Sequence, residues 1–260
     1  MNGGKEVKEW YFEYEIHRNR PGLLGDIASL FGMLNINIEA INGVENERRG
    51  LLLQCDDEKK MSFIESLLKQ IPNITVTAFR PLSMLDRLVI RHGRYISRDV
   101  TDRKTFRFTR EELGLLVDFL GEICKKEGNQ LIGVRGMPRV GKTESTIAAS
   151  VHANKRWIVI SSTLLKQTMV TTLTEDDYSP HHIYLIDSMV TWLRGSERHQ
   201  SLVREILQMP ATKIIEHPDI FVHETEYRWE DFDAIIEIRN HEGEEIKYNL
   251  LELKRNTTDF

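Results

Sequence analysis

Eight consecutive residues, Gly136 to Thr143, read GMPRVGKT and lie between an apolar run, Leu131 to Val134, and a helical pattern that begins near Lys142. Gly136 and Gly141 stand where a chain must turn tightly around an anion with no Cβ in the way. Pro138 has no N–H to offer, so the donors are the amides near Val140, Gly141, Lys142 and Thr143, at the positive end of a helix dipole. Lys142 supplies an ammonium for the outer phosphates of a nucleotide and Thr143 a hydroxyl for Mg²⁺, with Arg139 and Glu144 on either side.

Such a loop needs a carboxylate on the metal side, at the end of another buried strand. The run Ile183 to Ile186 is apolar and closes on Asp187, which is also placed to cap a helix starting at Ser188. Metal ligation is thus expected from Thr143 and Asp187. Ser188 occupies the position where efficient hydrolytic sites carry a glutamate, and Arg194 and Arg198 read as solvated residues rather than charge-stabilising fingers. The expectation is Mg²⁺ with ATP or GTP as ligand, and at most slow ATPase turnover.

The wording GVRGMPRVGKTES resembles the P-loops, or Walker A motifs, of the large ATPase group that carries an extra central strand between its two Walker strands, including archaeal-type and signalling ATPases. The resemblance is specific at the loop and looser at Asp187. It implies a parallel strand between them, and the apolar stretch Trp157 to Ser162 is expected to be that strand.

The first third follows a different pattern. Alternation from Trp10 to Ile16 is followed by Asn19, Arg20, Pro21 and Gly22, then by a helical stripe of Leu23, Ile27, Leu30 and Leu34 widened by Leu24 and Phe31. Two strand-like runs, Ile36 to Ile41 and Leu51 to Cys55, flank a turn with Gly43 and Gly50. A second amphipathic run with Phe63, Ile64, Leu67 and Leu68 then leads past Pro72 to a strand over Ile74 to Phe79. The order is βαββαβ. With NRPGLLGDIASLFGMLNINI, it resembles an ACT domain, a ferredoxin-like regulatory module that commonly binds amino acids or related effectors and pairs across a dimer interface. The resemblance implies an effector site at Asn19, Pro21, Gly22, Leu23 and Leu24 and a homodimer. Asn19 stands where that family commonly has an acid, so an effector's amino group loses its usual partner. A module that only dimerises, with Pro21 and Gly22 serving the turn, is the simpler alternative.

Between these regions, Arg87 to Arg110 holds eight Lys or Arg residues against Asp99 and Asp102. Cations interleaved with Tyr95, Phe106 and Phe108 are the ingredients of a nucleic-acid surface, but a solvated segment with its rings packed inward accounts for the same residues and is preferred. Thr109 to Glu112 reads as a capping box opening a helix. Near the end, Phe232 to Ile238 and Ile246 to Leu253 flank Gly243 as a hairpin, bringing Asp233 beside Glu252 and Lys254. That set resembles the metal-dependent nuclease pattern PD-(D/E)xK, although alternating charges on the wet face of a hairpin produce it easily.

The expected fold class is therefore α/β: a βαββαβ unit over 8–82, a basic linker over 83–110, and a P-loop α/β domain over 111–260 with a mostly parallel sheet and a terminal hairpin. The joining of an ACT-like head to a P-loop body resembles an uncharacterised bacterial family of the YmfK type, found in bacilli, and that resemblance implies no reaction. An effector-regulated nucleotide-binding protein is the leading function. A phosphotransferase with an acceptor pocket near Ser161, Ser162 and 171–182, the polar segment expected beside the nucleotide site, and a nucleic-acid-acting protein are the alternatives.

Chain length and 40% hydrophobic content support two cores, and a formal charge of −5 excludes a wholly basic nucleic-acid coat. Cys55 and Cys124 lie in apolar contexts that suit buried thiols. His181, His182, His199, His217 and His223 lack the tight spacing of a metal site. With no apolar run near the ~20 residues of a bilayer crossing and no signal-peptide core, a cytoplasmic protein with no membrane partner is expected.

Overall fold

The computed structural model describes residues 8–165 and 167–246. The chain forms two compact units, Met1–Ile96 and Ser97–Phe260. Among the described residues no helix is long and apolar enough to cross a membrane.

The first unit runs β1 (Glu9–Ile16), α1 (Leu23–Met33), β2 (Asn37–Val44), β3 (Arg48–Gln54), α2 (Glu58–Leu68), β4 (Ile74–Pro81) and α3 (Met84–His92). Its antiparallel sheet has the order β2-β3-β1-β4, so the two βαβ halves interleave. One face buries Phe12, Tyr14 and Leu53 against Leu23, Ile27 and Phe31 of α1 and Met61, Ile64 and Leu68 of α2. Phe63, expected inside, is 54% exposed, and Met61 takes the inward position. The other face, where Tyr11, Val44 and Leu52 emerge by alternation, is covered by Val89 and Ile90 of α3.

The segment 83–110 is therefore not a single linker. Met84–His92 is a helix of the first unit, begun by a capping box between Ser83 and Asp86 and ended by Gly93. Tyr95 also belongs there: its hydroxyl donates to Glu13 (2.5 Å), as do those of Tyr11 (2.5 Å) and Thr77 (2.6 Å). Glu13 is a buried carboxylate on a mid-sheet strand, stabilised by three hydroxyl donors. Glu13→Gln replaces one acceptor oxygen by an NH₂ group that cannot accept, and is expected to cost about 1–2 kcal/mol. Denaturant unfolding of full-length wild type and variant checks this; no change would mean that the hydroxyls re-pair with each other.

The second unit begins with β5 (Ser97–Arg98), β6 (Thr105–Thr109), α4 (Leu113–Cys124), β7 (Gln130–Gly136) and α5 (Lys142–His152). It continues with β8 (Trp157–Val159), β9 (Ser161–Ser162), β10 (Thr168–Met169), β11 (Ile183–Asp187), α6 (Ser188–Leu193), α7 (Glu197–Leu207), β12 (Thr212–Glu216), α8 (Pro218–Glu224) and β13 (Ala234–Arg239). The seven-stranded sheet has the order β5-β6-β13-β7-β12-β11-β8 and is parallel except for β5. Phe106 and Phe108 of β6 pack on Phe119 of α4, with ring centroids 4.5 and 5.6 Å apart, so these aromatics are core rather than stacking platforms. The capping box Thr109–Glu112 opens a 3₁₀ turn that leads into α4. Cys55 and Cys124 are buried free thiols.

Two strand expectations are corrected. Trp157 to Ser162 does not separate the strands of Gly136 and Asp187; among the described residues β8 is the sheet edge, with Trp157 37% exposed, and β9 pairs with β10 in a separate two-stranded sheet. The intervening strand is β12. Phe232 to Ile238 does not start a hairpin either, because β13 has β6 on one side and β7 on the other. Residues 247–253 of the expected hairpin lie outside the described residues.

Lys213 explains why β12 does not read as a buried strand. It is 1% exposed, and its ammonium donates to Asn129 and to the Met209 carbonyl. Burial pushes it down from 10.5 to about 8. Below pH 8 both folded and unfolded chains hold the proton, and the cost of burying the charge is present throughout. Between about 8 and 10.5 the folded chain releases a proton that the unfolded chain retains, so this residue makes stability rise with pH. Lys213→Met is expected to abolish that rise, seen as a wild-type-minus-variant difference in unfolding free energy that changes between about pH 7 and about pH 10.

Candidate functional site

In a parallel sheet the loops at the carboxyl ends of the strands share one rim, and a crevice forms where successive connections leave in opposite directions along the sheet. Here that strand is β7: the chain builds β8, β11 and β12 on one side of it and β13 on the other. Gly136 ends β7, Asp187 ends β11 and Glu216 ends β12, so all three reach the same rim. A cavity of about 370 Å³ opens there, lined by Pro138, Arg139, Gly141, Lys142, Thr143, Glu144, Thr163, Leu164, Met189, Glu216 and His217.

The loop is held by close approach and by its lysine. A Cβ on Gly136 would lie 2.5 Å from the carbonyl oxygen of Ile238 on β13, which no side chain could tolerate without moving backbone. Gly141 has φ +98°, a left-handed conformation that starts α5 directly, and no side chain caps that helix end. Lys142 is buried, and its Nζ donates back to the carbonyls of Gly136 (2.8 Å) and Met137 (3.1 Å). Burial pushes this ammonium below its ordinary range, opposed by Glu216, Asp187 and Glu144. Val140 is buried beneath the loop rather than lining the cavity.

Thr143 Oγ1 donates to Glu216 Oε1 at 2.6 Å. Glu216 is pushed up to about 7 by burial, and the Asp187 carboxylate adds to the rise while the Thr143 hydrogen bond opposes it. Asp187 caps α6: Oδ1 accepts from the amides of Met189 (2.9 Å) and Val190 (3.2 Å), and Oδ2 from that of Thr163 (3.2 Å). It therefore fills the capping role while remaining at the site. His217, in a left-handed backbone (φ 57°), follows Glu216 directly; burial pushes its imidazole down, with Asp187 pulling the other way. Asp187, Glu216 and His217 each offer one ligand atom, and the three atoms lie within 4.8 Å of one another. Oxygen donors from Thr143, Asp187 and Glu216 suit a hard cation such as Mg²⁺.

Comparison with known proteins adds kinship. The family model described as "Protein of unknown function (DUF3388)" matches residues 76–259. The chain belongs to this family. A relative in Bacillus subtilis (strain 168), "Uncharacterized protein YmfK", is 60% identical over 240 residues, covering 92% of this chain and 89% of the relative. Membership in DUF3388 extends over the whole loop, Asp187, Glu216 and His217, and the relative spans most of both units.

Of the residues singled out in the sequence, the cavity gathers Arg139, Gly141, Lys142, Thr143 and Glu144, with Asp187 close behind them. Glu216 carries no site expectation in the sequence, and His217 enters there only among histidines that lack ligand spacing. The signal was present in TKIIEH, a short run closing on a carboxylate as IYLID does, but the lysine within it disguised the strand. The 171–182 segment leads into the opposite, amino end of β11 and does not line the cavity. Ser161 is buried and donates to the Asp187 carbonyl (3.1 Å), and Ser162 accepts from the amides of Leu164 and Leu165, so neither offers an open acceptor pocket. Arg194 and Arg198 are solvent-exposed.

Asp233 lies at the amino end of β13, where Oδ2 accepts from the Leu131 amide (2.8 Å) and so ties β13 to β7. It is remote along the strand from the rim at Gly136. Glu252 and Lys254 lie outside the described residues. In the first unit, Asn19, Gly22, Leu23 and Leu24 line a second cavity of about 270 Å³ together with Arg20 and Arg49, while Pro21 does not. That lining carries arginines, with Asn19 at the position where the ACT family commonly has an acid.

Proposed function

We propose that the second unit binds a nucleoside triphosphate, ATP or GTP, with Mg²⁺ in the cavity at the end of β7. The observation that carries this reading is the convergence on one cavity of the loop lysine, the helix-opening threonine and a buried carboxylate hydrogen-bonded to that threonine. Backbone donors at the start of α5 would receive the phosphates, Lys142 would turn from the loop carbonyls to the outer phosphates, and Thr143 with Glu216 and Asp187 would hold the metal. Mg²⁺, when bound, supplies charge neutralisation at the phosphate oxygens. Hydrolysis is expected to be slow, since Ser188 follows Asp187 where a glutamate would be needed to orient water.

The first unit is read as an ACT-like regulatory or dimerisation module. Its interleaved βαββαβ order and the cavity at Asn19, Gly22, Leu23 and Leu24 support this reading, and the arginines there favour an effector with an acidic group, such as an amino acid's carboxylate. With α3 on the second sheet face, a homodimer would pair through a β2 or β4 edge. The protein is taken to act in the cytoplasm.

Thermal unfolding of the full chain with Mg-ATP and with Mg-GTP tests the nucleotide reading. A concentration-dependent rise in Tm with either is expected; unchanged melting with both at millimolar nucleotide would reject it.

A further inference from the structure

Asp187 and Glu216 are register partners in the β11–β12 pair, so adjacent strands set their backbones about 5 Å apart. Both are nearly sealed from solvent, at 1% and 6% exposure, and His217 is 5% exposed. Two carboxylates brought this close in the interior repel, and buried charges are normally matched by a cation or a metal. Among the described residues neither is in an ion pair: Asp187 accepts from backbone amides, Glu216 from the Thr143 hydroxyl, and the nearby Lys142 is engaged with loop carbonyls.

The left-handed backbone at His217 is what lets the chain turn into α8 at once while the imidazole stays with the carboxylates, its ligand atom within 4.8 Å of theirs. A nitrogen donor changes the chemistry of the set. Mg²⁺ needs near-octahedral oxygen and keeps much of its water, whereas imidazole with two carboxylates suits Mn²⁺, Fe²⁺ or Zn²⁺.

We infer that Asp187, Glu216 and His217 form a divalent transition-metal site built by the protein alone, which loads before any nucleotide arrives. The site shares the cavity of the nucleotide reading and deepens it, but it requires no phosphate ligand. The ion would balance the paired carboxylates in the nucleotide-free protein, and the Thr143 hydroxyl already bonded to Glu216 would sit beside it.

The test uses Mn²⁺ alone with the full-length, nucleotide-free chain. Electron paramagnetic resonance should report one bound Mn²⁺ per chain that Mg²⁺ displaces only in large excess, and spin-echo modulation should show coupling to a coordinated imidazole nitrogen. His217→Asn, which tolerates the left-handed backbone, should weaken Mn²⁺ binding about tenfold or more and remove that coupling. If the variant fails to fold, the nitrogen coupling in wild type decides alone. Mn²⁺ that binds only after ATP is added, or that binds without nitrogen coupling, overturns the inference and leaves the nucleotide reading standing. Mn²⁺ held by nitrogen in a protein whose melting ignores Mg-ATP and Mg-GTP supports it and overturns the nucleotide reading instead.

Discussion

On the proposed nucleotide reading, Lys142→Ala should remove about half or more of the stabilisation conferred by Mg-ATP while leaving the nucleotide-free protein folded. At a nucleotide concentration about one hundred times the dissociation constant, binding to the folded state adds about 2.7 kcal/mol, or roughly 5–10 °C in Tm for a chain of this size. A charge-assisted contact between an ammonium and phosphate is worth about 1.5–3 kcal/mol, so its loss weakens binding by roughly 10- to 100-fold. At the upper end, the variant at the same nucleotide concentration retains only about 0.4 kcal/mol of ligand stabilisation. Without nucleotide two opposing terms partly cancel: the loop carbonyls of Gly136 and Met137 lose a donor, and a buried ammonium is no longer desolvated. If Lys142 serves only to clasp the loop, the opposite pattern appears, with a lower Tm in the absence of nucleotide and an undiminished nucleotide shift in the variant.

Gly136→Ala should strongly destabilise the second unit. The added Cβ meets the Ile238 carbonyl oxygen at 2.5 Å and Val140 Cγ2 at 2.9 Å. Ile238 is the register partner of Gly136, so relief requires β7 and β13 to part just where the loop begins. Forced overpacking of this kind costs about 3 kcal/mol, which lowers Tm by roughly 6–12 °C. Gly114→Ala is the control: nothing lies within 4 Å of its new Cβ, and it sits in α4. There the substitution should stabilise by about 0.5–1 kcal/mol through helix propensity. Differential scanning calorimetry of the three proteins distinguishes steric clash from a general intolerance of glycine replacement, and equal Tm values for wild type and Gly136→Ala would contradict the close approach.

Local features of this chain were legible because their physics is local. The glycine spacing of 136–143, the alternation of Trp10 to Ile16 and the capping box at Thr109 each declare themselves within a few residues, and each stands where it was read. Order across a sheet is a different matter. The IVI run beginning at Ile158 has the composition of an interior strand and lies at the edge, whereas TKIIE, carrying two charged residues, lies in the interior of the sheet. Hydrophobicity reports whether a side chain can be buried, and Lys213 shows that a long stem with two acceptors at its tip can be buried as well. The same masking hid Glu216, whose role follows from a spatial neighbour, Thr143, 73 residues away in the chain. His217 has no ligand partner at close sequence spacing, because the site draws its members from the ends of two adjacent strands. The helix over 84–92 does not follow from the βαββαβ pattern, because its apolar stripe serves a second sheet face that the pattern does not require.

The central claim is that the Gly136–Thr143 loop holds a polyphosphate. Calorimetric titration of Mg-ATP, and separately Mg-GTP, into nucleotide-free full-length protein tests it most directly. The account predicts saturable binding of one nucleotide per chain, lost or weakened at least about tenfold in Lys142→Ala. The absence of binding heat with either nucleotide, together with unchanged melting temperatures at millimolar concentration, would contradict it.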